Sequence, residues 1–346
     1  MENARRAVPR ATMYTTAKQT TLTLLDALGA FRLGRHLCRG RLIALTYHRV
    51  LPDPATPQDP PNNAVFASAF DRHVAYLVRH HHVVTGQDLR AFLEAGVALP
   101  KRSALITFDD GYRDNFEHAF PILQRHGASA VFFIASDFID RKSPRLWFDR
   151  LDWALGAHAD RVLEWARRSQ LSDQVGTADG FRRWMKYCSP DRRQQIMTAL
   201  EALLPTSAAE EPKGFDPMTW PQVREMARAG MTIGGHTASH QILGAARADQ
   251  VERELRTCRR RIEQELQQPC WCFSYPNGES SDFRDLDKQA LRRAGFIAAF
   301  TQQPGLSHTR SDKFALPRMP MPASSDFRVF LSRVTGVHGG VAIGRA

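Results

Sequence analysis

The sequence predicts an α/β fold: a parallel sheet, or a barrel of βα units, interrupted once by a helical insertion. Three observations carry this. Short apolar and β-branched runs alternate with amphipathic helical stretches along most of the 346 residues. Gly127, Gly230 and Gly295 each follow a helical pattern, where a C-cap needs a left-handed residue. The residues able to do chemistry fall where strand patterns stop, the end at which such folds carry their sites.

The elements follow in order. Residues 1–41 read as a basic helical segment. Residues 1–42 hold eight Arg or Lys against two acids, a local +6 within a net charge of +11. Leu24, Leu25, Leu28 and Phe31 keep helical spacing, and Arg32, Arg35 and Arg39 follow them. Two readings stay open: a basic amphipathic helix in peripheral contact with an anionic membrane, or a solvated first helix covering the bottom of the domain. The main domain spans 42–325. It starts with strand 42–47, and His48 stands at its end. Residues 51–63, rich in Pro, Asp and Asn, form a loop on the same face. Helix 70–79, strand 104–108, helix 114–126 and strand 130–135 continue the pattern. Between about 140 and 215 the rhythm breaks. This stretch is helix-rich, with Trp147, Trp153, Trp165, Trp184 and many Arg, and reads as an inserted subdomain or lid. The alternation resumes with helix 220–229, strand 231–235, helix 247–267, strand 271–275, helix 286–294 and strand 296–301. Residues 326–346 read as a tail.

Bulk composition sets limits. An apolar content of 43% is ample for a packed core. Cys38, Cys188, Cys258, Cys270 and Cys272 are few and odd in number, and read as free thiols of a reducing compartment. Cys270-x-Cys272 is too closely spaced for a zinc C-x-x-C pair. Residues 1–30 lack the compact apolar core of a secretory signal, and no run approaches the roughly 18 apolar residues of a spanning helix. The expected location is cytoplasmic, or peripheral at the inner membrane face. No basic stripe interleaved with aromatics is present, so nucleic acid is not expected as a partner.

Two strings carry the chemistry. In Thr107-Phe108-Asp109-Asp110-Gly111-Tyr112, two carboxylates stand at a strand end, and the turn at Gly111 lets both converge on one pocket. In His236-Thr237-Ala238-Ser239-His240, two imidazoles four residues apart follow another strand and can chelate one ion. Each alone has a bland reading: an acidic turn capping the next helix, or a structural His pair. Together they supply one carboxylate and two imidazoles, which is about three protein ligands with room for water. That shell suits Zn²⁺ best, and other first-row divalent metals also fit it. The second carboxylate is then free to act as a base.

The strings TFDDGY, HTASH and FSYPNG, in that order, resemble the polysaccharide deacetylase family, the NodB homology domain of carbohydrate esterase family 4. The resemblance covers about 42–139 and 215–320. It implies a deformed (β/α) barrel of the NodB type and a metal-dependent hydrolase acting on a carbon–nitrogen bond. The reaction it implies is removal of acetyl from an N-acetylated saccharide. By similarity Asp109 is the catalytic base, water at the metal is the nucleophile, and Asp110, His236 and His240 are the metal ligands. The substrate expected without a secretory signal is a polysaccharide or a lipid- or nucleotide-linked sugar intermediate.

The sequence departs from the family in two places. Many members carry a C-terminal Leu-x-His that supplies the general acid. None is present here: after Phe314 the chain runs Ala-Leu-Pro-Arg-Met-Pro, and His338 lies in a Gly-rich tail. His48 in Leu45-Thr46-Tyr47-His48-Arg49-Val50 resembles instead the branch with permuted motif order, which includes deacetylases of bacterial exopolysaccharide systems. There the N-terminal His fills the acid position; the alternative is a His that caps the strand. Ser274 stands where many relatives have an Arg holding the base, so Arg318 is the candidate to orient Asp109, against a surface ion pair. Tyr112, Tyr275, Pro276 and Asn277 are candidates for the substrate groove, with a nearby backbone N–H facing the oxyanion. Trp147 and Phe148 either stack on sugar rings or anchor the inserted helices. Two rival functions remain: a hydrolase of another amide or ester, and a non-catalytic carbohydrate-binding or assembly protein. The intact acids and imidazoles argue against the second.

Overall fold

A computed structural model describes residues 21–25, 27–37, 40–56, 61, 63–142, 145–171, 173–204, 214–321 and 323–336. Its strands are β1 Leu42–Tyr47, β2 Arg49–Leu51, β3 Ala64–Phe66, β4 His82–Val83, β5 Ser103–Phe108, β6 Val131–Ile134, β7 Thr232–Gly235, β8 Cys272–Ser274, β9 Ala298–Phe300 and β10 Met319–Pro320. The main sheet runs β10-β1-β5-β6-β7-β8-β9, and every pairing is parallel. β4 pairs the first half of β5 at Ser103 and Ala104, and β6 takes over at Thr107 and Phe108. Leu316 bridges Phe300 while Met319 pairs with Leu45. Residues 316–320 thereby join β9 to β1 and curl the sheet into a deformed barrel. β2 and β3 form a separate parallel pair beside it.

Period-2 alternation sorts the strand residues onto two faces. Leu42, Ala44, Leu105, Val131, Phe133, Cys272, Ala298 and Phe300 meet across the interior, with Leu89, Phe92 and Leu93 of the helix Gly86–Ala95. Ile43, Leu45, Tyr47, Ile106, Phe108, Phe132, Phe273 and Tyr275 point the other way, into the surrounding helices. Fully burying one such aromatic or aliphatic side chain is worth about 1.5–3 kcal/mol. Both faces are therefore apolar, as a parallel sheet covered on both sides requires.

The anticipated helices and strands are present within one or two residues at most ends. One helix differs. The stretch 114–126 opens with a π-turn, Asn115–Ala119, before the helix Phe120–Arg125. Pro121 has no N–H to donate back along the helix, so the first turn is wider than an α-turn.

The insertion is a helical unit with its own core. Its helices are Trp147–Arg168, Ala178–Tyr187 and Pro190–Leu203. Leu151, Leu155, Phe181, Met185, Ile196 and Leu200 pack together there, apart from the barrel. Thr177 caps the second helix by accepting from the Gly180 N–H. Ser189 caps the third, with Pro190 in its first turn.

The ends of the chain correct the expected boundary. Residues after 325 were expected as a tail, yet Phe327–Val334 is a helix. Its apolar positions 327, 330, 331 and 334 keep helical spacing. Phe330 stacks on His73 with ring centroids 4.0 Å apart. Val329 packs against Leu22 and Phe31, which docks the N-terminal segment on this helix, while Leu24 and Leu28 are exposed. The side chains of Arg32, Arg35 and Arg39, together with Cys38, His338 and residues 1–20, lie outside the described residues. The other four cysteines are buried free thiols. Among the described residues no helix is long and apolar enough to cross a membrane.

Candidate active site

Strand parity carries Asp109 inward. Leu105 and Thr107 face the barrel interior, and Asp109 continues that row one step beyond β5. The chain then turns through two left-handed residues, Asp110 at φ 80° and Gly111 at φ 97°. At Gly111 a Cβ would stand 3.0 Å from the Ile139 side chain, so a side chain there would be strained in conformation and crowded. The turn rotates Asp110 onto the same pocket as Asp109. Three more non-glycine residues of the site are left-handed: Thr237, His240 and Asn277. Each costs of order 1–3 kcal/mol unless its surroundings hold it. Thr237 is held: its hydroxyl donates to the His236 carbonyl at 2.6 Å and accepts from the Gln241 N–H at 2.8 Å.

Asp110, His236 and His240 form a cluster whose ligand atoms all lie within 4.8 Å of one another, and all three are buried. Asp110 Oδ1 lies 3.4 Å from His236 Nε2 and 3.2 Å from His240 Nε2. His236 Nδ1 lies 2.7 Å from the Ser274 carbonyl. That carbonyl can only accept, so the proton sits on Nδ1 and leaves Nε2 bare. Burial pushes the Asp110 carboxyl up, but the His236 and His240 imidazoles facing it overcome that and hold the group well below the usual range. A buried carboxylate facing the Nε2 atoms of two imidazoles is a donor set that fits a divalent cation.

Asp109 has a different environment. Arg318 stands in the 316–320 segment that joins β9 to β1 and is fully buried. Its NH1 and NH2 groups donate to Asp109 Oδ1 and Oδ2, both at 2.7 Å. The remaining N–H groups go to the Thr301 carbonyl, Thr107 Oγ1 and Ser274 Oγ. All five donors of the guanidinium are thus used. Ser274 Oγ and Gln302 Nε2 also reach Asp109 Oδ2, at 3.2 and 3.1 Å. Burial alone would raise the Asp109 carboxyl; the Arg318 charge, then His236, outweigh it and lower the pKa.

Asp109, Asp110, His236 and His240 line a cavity of about 420 Å³ together with His48, Asn277, Phe148, Lys186, Glu279 and Gln302, and Arg318 stands behind Asp109. The structure therefore brings together Asp109, Asp110, His236, His240, His48, Arg318 and Asn277. It separates others. Tyr275 was expected in the groove, but Ser274 faces inward and parity turns Tyr275 out. Its ring stacks on Phe283 and its hydroxyl donates to the Phe314 carbonyl. Pro276 is buried and does not line the cavity. Tyr112 lines an adjoining cavity and donates to Asp149 Oδ2 at 2.7 Å. Burial, and after it the charge of Asp110, push the Asp149 carboxyl up to about 7 against the pull of the Tyr112 hydrogen bond and Arg49. Trp147 packs under Arg193 inside the insertion, whereas the Phe148 ring lies 4.9 Å from that of His240. Sequence reasoning missed Gln302, Lys186 and Glu279. Gln302 had a signal, since it directly follows a strand pattern. Lys186 had none.

A model of the polysaccharide deacetylase family matches residues 96–298, more than half of the chain. The chain belongs to the polysaccharide deacetylase family. Asp109, Asp110, His236 and His240 fall inside the matched span, and His48, Gln302 and Arg318 fall outside it. A curated relative, YxkH of Bacillus subtilis (strain 168), carries a polysaccharide deacetylase name. It is 20% identical over 251 residues, 72% of this chain, and the chain spans 63% of that relative's length. Solved structures share the fold of this deacetylase-family chain. The Streptococcus pyogenes deacetylase PplD in complex with acetate superimposes with a TM-score of 0.57 at 16% identity, over 85% of this chain and 98% of the other. IcaB from Ammonifex degensii gives 0.55 at 18% identity, over 86% and 97%. A de-N-acetylase from Aggregatibacter actinomycetemcomitans gives 0.56 at 17% identity, over 84% and 98%.

Proposed function

We propose that the chain is a metal-dependent hydrolase that removes acetyl groups from an N-acetylated saccharide. One observation carries this reading: two adjacent carboxylates with opposite partners. Among the described residues, Asp110 faces two imidazoles and no arginine, while Asp109 is gripped by Arg318 and accepts no hydrogen bond from an imidazole. A divalent ion held by Asp110, His236 and His240, with zinc the best match to that donor set, would polarise the acetamide carbonyl and make water more acidic.

The chain's own residues do the rest. Asp109 stays ionised and takes the proton of the attacking water. The proton goes to Oδ1, because Oδ2 already accepts from Arg318, Ser274 and Gln302 while Oδ1 accepts from Arg318 alone. Arg318 and Ser274 fix the carboxylate plane. His48, on the cavity wall, protonates the leaving amine. Phe148 offers an apolar face beside His240, suited to the C–H face of a sugar ring.

Purified protein should contain a divalent metal and release acetate from N-acetylglucosamine oligomers, and chelator should stop that release. His236→Ala should lose both metal and turnover. Protein that is metal-free as purified and that shows no metal-dependent acetate release would remove this reading.

A further inference from the structure

A second cavity of about 640 Å³ adjoins the catalytic one and shares His48, Asn63, Asp110 and Phe148 with it. Its outer wall comes from the insertion: Asp149, Asp152, Trp153, Asp179 and Arg182. Tyr112, Phe215 and Arg49 close it from the barrel side. The charge in this arm is unbalanced. Arg49 is committed to Asp114, at 2.9 Å, which lies outside the wall. Arg182 sits between Asp152 at 2.5 Å and Asp179 at 3.0 Å. Among the described residues of the wall, three insertion carboxylates thus face one available guanidinium.

Asp149 is the least compensated of them. The residue is only 9% exposed. Its Oδ2 accepts from the Tyr112 hydroxyl. Among the described residues no donor reaches Oδ1, and Asp149 lines the cavity. A carboxylate this deeply buried is costly without a cation.

We propose that this arm is a subsite for a saccharide unit carrying a free amine, next to the N-acetylated unit held at Asp109 and Asp110. The inference rests on the deacetylase reading. Removal of an acetyl group converts a neutral acetamide into an amine that takes up a proton, so the reaction's own product is the cation the arm lacks. Asp149 Oδ1 accepts from the ammonium, and Trp153 and Phe215 give apolar faces for the ring. Partially deacetylated chains are then bound better than fully acetylated ones.

The test uses the full chain with Asp109→Asn, which keeps acetylated ligands intact. Glucosamine tetramers and N-acetylglucosamine tetramers are titrated calorimetrically at low and high salt. The amine tetramer should bind at least about tenfold more tightly, and salt should shrink that preference. Adding Asp149→Asn, which preserves an acceptor for Tyr112, should bring the ratio near one. Adding Asp179→Asn at the exposed rim should cut it about two- to threefold. Amine tetramers that bind no better than the acetylated ones, or not at all, overturn the proposal. So does a preference that survives both substitutions. Failure of the wild type to release acetate from any oligomer removes the deacetylase reading instead, and leaves this binding ratio as a separate result.

Discussion

The barrel rim and the inserted helices face one cavity, yet they hold their side chains by different means. On the rim, position follows from strand parity and is locked by a closed network: all five N–H groups of Arg318 are used, and four donors meet the two oxygens of Asp109. The insertion packs on its own core and meets the barrel through polar links, such as Lys186 to Glu279 and Asp282 and Tyr112 to Asp149, and through a small apolar cluster of Leu146 and Phe148 with Tyr112 and Phe138. The difference separates tasks. On the proposed function, the rim would supply the chemistry and the insertion a wall that shapes what enters.

Breaking the rim should have the largest effect. Arg318→Met leaves Asp109 buried without its cation, which should destabilise the fold by about 3–5 kcal/mol in urea unfolding. Misplacement of the base should lower turnover by about 10²-fold or more. The pH dependence follows with a definite sign. Asp109 has a lowered pKa in the folded chain, so its contribution to stability is present above the ordinary carboxylate pKa and is lost as pH falls through the lowered value. Without Arg318 burial dominates, the pKa rises, and the acid limb of kcat/KM should move to higher pH. An unmoved limb would show that Arg318 does not set the state of Asp109.

His48 sharpens the comparison, because it lies on the rim but outside the closed network. His48→Gln should lower turnover about 10²-fold with metal content unchanged. Full turnover in that variant would reassign the acid. The smallest effect is expected across the link to the insertion. Lys186→Met removes the partner of Glu279 and of Asp282, whose side chain is fully enclosed. It should raise KM by less than about tenfold and leave kcat nearly unchanged. A large fall in kcat would place the insertion in the chemistry itself.

This division also decided what was legible in the sequence. Asp109 and His236 were readable because each directly follows an apolar strand pattern, and Asp110 and His240 because they stand one and four residues further on. Arg318 was readable only through the absence of the usual Arg at Ser274. Tyr275 was misplaced because parity was not applied: once Ser274 faces the base, its neighbour must face the helices. The final helix was read as a tail although positions 327, 330, 331 and 334 repeat helically. β10, two residues long, has no period to detect. Lys186 reaches the catalytic cavity, and Asp149 the adjoining one, only through the packing of the insertion on the barrel, which no local pattern encodes.

The central claim is that two adjacent acids divide the work, and one paired measurement tests it most directly. Zinc content and acetate release are measured on Asp109→Asn and Asp110→Asn side by side. The account predicts that Asp109→Asn retains zinc and releases no acetate, while Asp110→Asn loses both. Loss of zinc from Asp109→Asn with retention in Asp110→Asn, or acetate release from either variant at the wild-type rate, would contradict it.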